Sequence, residues 1–153
     1  MKIITKNKYA YLNYDIHEKF ESGVVLKGFE TKAVKLGKVN IKDSFIQVRG
    51  GEIFILNMDI PLYNKTSFNI VPWYDSKRNR KLLMKKPQIA RLYERTKKTG
   101  LVLIPLKVYE NKRKLVKIEI GLAKLRKKVE KKQIIKERDI QRQASKDIKR
   151  LKI

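Results

Sequence analysis

A small, mainly β barrel with short helices and a basic C-terminal tail is the fold that this sequence predicts. Three observations carry it. Several stretches alternate apolar and polar residues with the period of two that a half-buried strand requires. Gly50-Gly51 sits between two such stretches and permits the positive φ of a tight hairpin turn. From Lys124 onward the alternation stops and charge takes over.

The elements follow in chain order. "YAYLNYDI" and "EKFESGVVLKG" read as strand, rich in Tyr and Val and punctuated by Gly23 and Gly28. "ETKAVKLGK" suits a short helix with Ala33, Val34 and Leu36 turned inward and Gly37 ending it. "DSFIQVRGGEIFILNM" gives two strands around the Gly-Gly pair. "PLYNKTSFNIVPWYDS" has two prolines and no period, so it reads as a loop. "SKRNRKLLMKKPQIARLYERTKKTG" carries a helical pattern that Pro87 interrupts, which predicts two helices. Pro87 opens the second, with Ile89, Leu92 and Tyr93 inward and Gly100 past its end. "LVLIPLKVYENKRKLVKIEIGLA" gives two more strands, Leu101–Tyr109 and Lys114–Ala123, turning around Glu110–Arg113. The unbroken run "LVLIPL" implies burial on both faces, and Pro105 within it demands an edge or a bulge. Five or six such strands with short helices suit an OB-like barrel, a common nucleic-acid-binding architecture at this size.

These patterns divide the chain into a barrel, residues 1–123, and a tail, residues 124–153. In the tail Ile140, Ala144, Ile148 and Leu151 are spaced by 4, 4 and 3, a narrow apolar stripe on a charged helix. So much like charge predicts disorder when the segment is free and a helix when a partner neutralises it.

The charge decides the class of partner. Lys and Arg number 39 against 15 Asp and Glu among 153 residues, a net +24. Residues 1–120 hold 26 basic and 11 acidic side chains and residues 121–153 hold 13 and 4, so both parts are basic. Self-repulsion on that scale points to a polyanion. Nucleic acid fits better than a membrane surface, because the basic tail carries no Trp or Phe to anchor at an interface. No apolar run reaches the roughly 18–20 residues of a membrane span, and the start "MKIITKNKYAY" is no secretory signal. The absence of cysteine excludes disulfides and thiolate metal sites and favours the cytoplasm. A monomer without cofactor or metal is expected.

An enzyme is disfavoured. His17 is the only histidine and reads as a surface residue. Asp15, Glu18 and Glu21 form the only carboxylate group, and they lie three apart near a predicted strand with no further ligands. A general single-stranded nucleic-acid-binding OB protein is the alternative, with Tyr9, Tyr11, Tyr14, Phe45 and Phe54 as stacking platforms.

Four blocks narrow the reading: "NKYAYLNYDIHEKFESGVVLKGFETKAVKLGKVNIKDSF", "RNRKLLMKK", "GLVLIPLKVY" and "IGLAKLRKKVEKKQIIKERD". In order and spacing they resemble the bacterial SsrA-binding proteins, the SmpB family, over about residues 7 to 140. The most specific part is Gly28, Glu30, Lys32, Ala33, Gly37 and Lys38. The resemblance implies an OB-like barrel that binds the tRNA-like domain of tmRNA and brings it to stalled ribosomes for trans-translation. It implies a tail that enters the empty mRNA channel of the small subunit near the decoding centre and turns helical there, with no covalent chemistry by the protein.

The same resemblance places RNA-binding positions at Glu21, Leu83 and Lys117. Lys117 would meet a phosphate or base edge, and its ordinary alternative is a solvated strand lysine. Leu83 would pack on an unstacked base or ribose; otherwise it is helix core. Glu21 would accept from an exocyclic amine or 2′-OH, or hold a neighbouring cation, the alternative being a barrel salt bridge. Asn7, Lys8, Arg78, Arg80 and Lys81 are expected to help through phosphate contacts. Lys124, Arg126, Lys127, Lys128, Lys131, Lys132, Lys136 and Arg138 are the ribosome-binding cations of the tail. This chain departs from the family pattern at Leu125, where a glycine hinge is usual, at Val129, where a ring is usual, and at Leu12, where the family has histidine.

Overall fold

The computed structural model describes residues 1–62, 73–97 and 100–151. Among these residues the seven strands are β1 (Lys2–Lys6), β2 (Tyr14–Val24), β3 (Phe45–Arg49), β4 (Glu52–Leu56), β5 (Arg80–Leu83), β6 (Leu101–Glu110) and β7 (Val116–Leu125). The helices are α1 (Lys8–Asn13), α2 (Gly28–Lys35), α3 (Lys86–Lys97) and α4 (Lys128–Leu151). The strands pair antiparallel in the order β6-β3-β4-β5-β2-β7, and β7 returns to β6 to close the ring. β1 lies beside β6. Closure between β3 and β6 is narrow, with Ile46 opposite Leu103. The OB-like barrel expected from the alternation is thus present, mainly β with short helices.

The Gly50-Gly51 turn joins β3 to β4 with φ of 60° and 77°, the left-handed values that a side chain would strain. Pro105 sits beside a register shift between Pro105 and Lys107, the bulge its missing N–H requires. Gly37 ends α2 at φ 83°. Pro87 stands in the first turn of α3.

Four expectations need correction. "RKLL" is strand β5, not helix, because β4 and β2 flank it and absorb its backbone hydrogen bonds. "YAYLN" is helix α1, not strand. Its Ala10 is buried against Ile104, Leu106 and Ala123, apolar groups on the outer side of β6 and β7. The "LVLIPL" run is therefore buried on both faces, by the barrel core inside and by α1 outside. Tyr93 and Leu36, expected inward, are 43% and 61% exposed, while Ile89, Leu92, Ala33 and Val34 do face the core. β1 had no counterpart in the sequence reading; Asn7 fixes its end through N–H to Leu106 O (2.8 Å) and Nδ2 to Pro105 O (3.1 Å).

Of the loop expected over 61–76, residues 63–72 lie outside the described residues, and the rest is neither strand nor helix. β7 runs two residues past the expected barrel boundary, pairing Lys124 with Asp15 and Leu125 with Tyr14. Beyond it the structure carries Lys128–Leu151 as one helix, where coil is the expectation for the free segment. The reason is composition: the segment holds no Gly or Pro and is rich in Lys, Arg, Glu, Gln and Ile.

One buried ionic cluster ties the pieces together. Glu30 and Arg80 are both fully buried. Arg80 donates from Nε and Nη2 to Glu30 Oε2 (2.9 and 2.6 Å), from Nη1 to Met58 O (2.6 Å) and from Nη2 to Ser76 O (2.9 Å). Arg78 adds a second ion pair to Glu30. The backbone N–H of Lys27 reaches Glu30 Oε1 at 2.8 Å, the reach-back that caps the start of α2. Tyr74 places its hydroxyl 3.0 Å from Glu30 Oε2 and 2.6 Å from Ile60 O. Burial pushes the Glu30 carboxyl up, but the donors from Arg78, Lys27 and Arg80 outweigh it and hold the pKa at about 2. Burial and the Glu30 charge push the Tyr74 phenol up to about 12.

A carboxyl depressed in the fold contributes stability above its unfolded value and loses it as pH falls toward its folded value. Between 4.5, the ordinary value, and about 2 the melting temperature should therefore fall, this group alone losing up to ~3 kcal/mol. Glu30→Gln should be less stable at neutral pH by roughly 3–5 kcal/mol, since Arg80 is left buried without its counter-charge. Thermal melts at each pH check both points: a wild-type acid limb no steeper than that of Glu30→Gln would contradict the assignment.

Candidate nucleic-acid interface

β2 lies between β5 and β7, and Gly23 pairs with Leu83 on the first and Lys117 on the second. Residues directly opposite one another project to the same face of a sheet, so Leu83, Gly23 and Lys117 form one row across three strands. Glu21, two residues back on β2, shares that face. The alternate residues Ser22, Leu82 and Ile118 are buried inside. Strand alternation alone thus gathers the three principal candidates on the outer surface of the barrel.

Leu83 is 54% exposed, which settles it as a surface side chain and not core. Gly23 leaves room beside it: a Cβ there would stand 3.2 Å from the Leu83 Cβ. Leu83 forms a ridge between two hollows. One, of about 430 Å³, is lined by Glu21, Leu83, Lys81 and Lys86. The other, of about 260 Å³, is lined by Gly23, Leu83, Lys35, Lys114 and Lys117. Lys117 is half-buried, and its ammonium makes no hydrogen bond or ion pair with another described residue, so it is available to an anion.

Glu21 holds no cation among the described residues. Its carboxylate acts on the phenol of Tyr109, which pairs with Lys117 on the neighbouring strand and is buried. Burial and then the Glu21 carboxylate push the Tyr109 phenol above its usual range. Sequence reasoning missed Tyr109 altogether. Gly23 was seen only as punctuation, although glycine within a strand signals close approach.

The helper positions separate. Lys8 and Lys81 are exposed, Lys81 with an ion pair to Glu52 at 3.2 Å. Arg78 is half-buried on Glu30. Arg80 is a correction: its guanidinium is fully buried in the Glu30 cluster and cannot reach a phosphate. Asn7 is a second: it is buried and anchors the chain between β1 and α1, though its Oδ1 has no partner among the described residues. Both were plausible from sequence because type, not burial, is what a sequence displays.

In the tail, Lys124 lies on β7, and Arg126 is docked, its N–H on Asn13 O (2.8 Å) and its Nε on Tyr14 O (3.2 Å). Lys127, Lys132, Lys136 and Arg138 are exposed; Lys128 and Lys131 fall within α4. Leu125, where the family has a hinge glycine, is the last paired residue of β7.

Among the described residues no group of three or more His, Asp or Glu side chains is placed to hold a metal ion. Asp15 lies 3.5 Å from the exposed His17, and Glu18 is drawn down by its hydrogen bond from Arg95. Tyr9 and Tyr11 sit on α1 and not on a barrel strand, with Lys42 and Lys19 over their rings. No helix is long and apolar enough to cross a membrane among the described residues.

A closed basic barrel with an outward row of this kind belongs to the class of nucleic-acid-binding β-barrels. Comparison with known proteins makes the class specific. The family model for SmpB protein matches residues 4–150. An SsrA-binding protein of Thermosipho africanus is 44% identical over 150 residues, covering 98% of this chain and 99% of that protein. The SsrA-binding protein of Persephonella marina is 46% identical over 149 residues, covering 97% and 95%. A chain in a solved structure described as "tmRNA-SmpB: a journey to the center of the bacterial ribosome" is similar with a TM-score of 0.65 and 38% identity, over 81% of this chain and 85% of that one. The chain belongs to the SmpB family.

Adjacent leucines on β5 should respond oppositely. Leu82→Ala should cost about 2–5 kcal/mol, because Leu82 is fully buried in the core. Leu83→Asp should move the melting temperature by no more than about 2 °C, as befits an exposed position. Thermal melts of the two variants decide it, and a collapse of Leu83→Asp would return that side chain to the core.

Proposed function

We propose that this chain binds the tRNA-like domain of tmRNA and delivers it to stalled ribosomes in the cytoplasm, where rescue and peptide tagging follow without covalent chemistry by the protein itself. Family membership supports the reading, and one observation carries it onto particular residues: Leu83, Gly23 and Lys117 stand in one row, with Glu21 on the same face. Lys117 is the phosphate or base-edge contact. Leu83 packs on a base or ribose, and the exposed Glu21 has oxygen lone pairs for an amine or 2′-OH. Lys8, Lys81 and Arg78 supply positive potential around them. Asn7 and Arg80 act by shaping the barrel.

The barrel and tail divide the work. Arg126 is docked on the body, so the separable part begins after Lys127. Lys132, Lys136 and Arg138 are spread over the exposed helix surface and would meet rRNA phosphates in the mRNA channel. The helical form of the tail is the bound form, because phosphates screen the repulsion that opposes it in water.

Binding to the tRNA-like domain is expected to weaken with salt as roughly 4–8 phosphate contacts require, each contributing about −0.7 to −0.9 to the slope of log K on log salt. Lys117→Ala should lower the slope by about one and weaken binding; an unchanged slope and affinity would remove that lysine from the interface. The same titrations against an unstructured oligonucleotide discriminate the single-strand-binding alternative, which predicts no preference for the tRNA-like fold.

A chain ending at Lys127 should keep its melting temperature and bind the tRNA-like domain within a few-fold of the full chain, yet fail to support tagging on stalled ribosomes. The isolated 128–153 peptide should be mostly coil by circular dichroism in dilute buffer. Full tagging by the truncated chain would overturn the division of labour, as would a peptide already strongly helical alone.

A further inference from the structure

The hollow beside Glu21 and Leu83 does not end there. It continues past Gly51, Glu52, Lys86 and Ile89, which line both it and a larger groove of about 790 Å³ between the β3–β4 hairpin and α3. That volume lies within the roughly 300–1,000 Å³ of ligand pockets. Ile89 and Ala90 contribute apolar surface, and Tyr93 contributes an aromatic ring. Arg49 and Lys86 supply cations.

Two features of this groove are not explained by folding. Tyr93 is 43% exposed, so its ring does not serve the core that Ile89 and Leu92 of the same helix build. The Lys97 ammonium, one turn on in α3 and 3.8 Å from Glu94, lies 4.4 Å from the Tyr93 ring centroid, a pairing the helix itself provides. The charges are also unbalanced. Arg49 donates to neutral Gln47 (3.2 Å), and Lys86 has no ion pair among the described residues, while Glu52 is engaged by Lys81. The Gly50-Gly51 tip places no side chain across the opening.

We infer that this groove holds an unpaired nucleotide of the bound RNA, its base stacked on Tyr93 and its phosphates between Arg49 and Lys86. The inference rests on the reading that the Glu21–Leu83–Lys117 face binds RNA, and extends that face around the barrel toward α3. A peptide is the weaker occupant, because an aromatic ring flanked by unbalanced cations matches a base and its phosphate. Single-stranded RNA at the edge of a structured domain presents such bases already unstacked.

The test uses the full-length chain and the tRNA-like domain of tmRNA. Tyr93→Ala should weaken binding roughly five- to tenfold, the effect of losing one stacked base, with the salt slope unchanged. Tyr93→Phe should bind as the unaltered chain does, since the ring and not the hydroxyl does the stacking. The pair Arg49→Ala with Lys86→Ala should lower the slope of log K on log salt by about 1.4–1.8, two phosphate contacts. A photo-reactive benzoylphenylalanine at position 93 should cross-link to one or two adjacent nucleotides. If Tyr93→Ala and the double variant bind within twofold while Lys117→Ala weakens binding, the groove is not an RNA site and the proposed function stands. If none of the three matters, the RNA-binding reading itself falls, and this inference with it. Loss of ribosome binding with undiminished affinity for the tRNA-like domain would overturn the nucleotide pocket in favour of a contact with the ribosome.

Discussion

A single carboxylate holds the barrel and its insertions in register. Glu30 receives a backbone N–H from the start of α2, two guanidinium groups from the segment entering β5, and lies against the Tyr74 hydroxyl. Arg80 carries the connection onward to the carbonyls of Met58 and Ser76. Two cations against one anion would be a costly arrangement in a dry interior. It is tolerated because the backbone carbonyls take the remaining N–H groups of Arg80, and Arg78 keeps partial contact with water. The position of β5, and with it the outward projection of Leu83, depends on this cluster. The most family-specific block of the sequence therefore contains a structural residue at its centre and not an RNA contact.

From there the surface is sorted by the period of two. β5 alternates Arg80 and Leu82 inward with Lys81 and Leu83 outward, and β2 and β7 do the same with Ser22 and Ile118 against Glu21, Gly23 and Lys117. Neighbours in sequence thus take opposite tasks. Gly23 has a particular consequence: it is the one position in the row without a side chain, and the Leu83 side chain lies over it, 3.2 Å from where a Cβ would stand. A hollow lined by an apolar Leu83 and a cationic Lys117 suits a ribose-phosphate segment, whose sugar and charge need different neighbours.

How much of this could be read beforehand follows from which physics is local. The hairpin at Gly50-Gly51, the bulge at Pro105 and the stop at Gly37 were legible, because φ and missing donors are properties of the residues themselves. The helical α1 was not, since "YAYLN" alternates well enough for a strand and becomes a helix only to cover Ile104 and Leu106. "RKLL" failed in the other direction, its strand state being imposed by β2 and β4. At the candidate site, Lys117, Leu83 and Glu21 came through resemblance, and alternation then explains why they converge. Arg80 and Asn7 were misjudged because polar residues that serve the interior look, one at a time, like those that serve a ligand.

The charge distribution joins these points. Among the described residues Arg80 is the one basic side chain that is fully buried, and it is matched by Glu30; Arg126, half-buried, spends its Nε on a backbone carbonyl. With 39 basic side chains against 15 acidic ones, surface pairs such as Lys81–Glu52 and Arg95–Glu18 neutralise only part of the charge, and the excess adds repulsion. That repulsion is weakest to bear on a closed barrel, where strand pairing fixes the backbone regardless of surface charge. It is hardest on a helix such as α4, which meets the body beside α1 and has little packing to offset it. Neutralisation by a polyanion should thus matter little for the shape of the body and greatly for the shape of the tail. The barrel is a surface built in advance of its partner, and the helix is the part whose stability a partner should raise most.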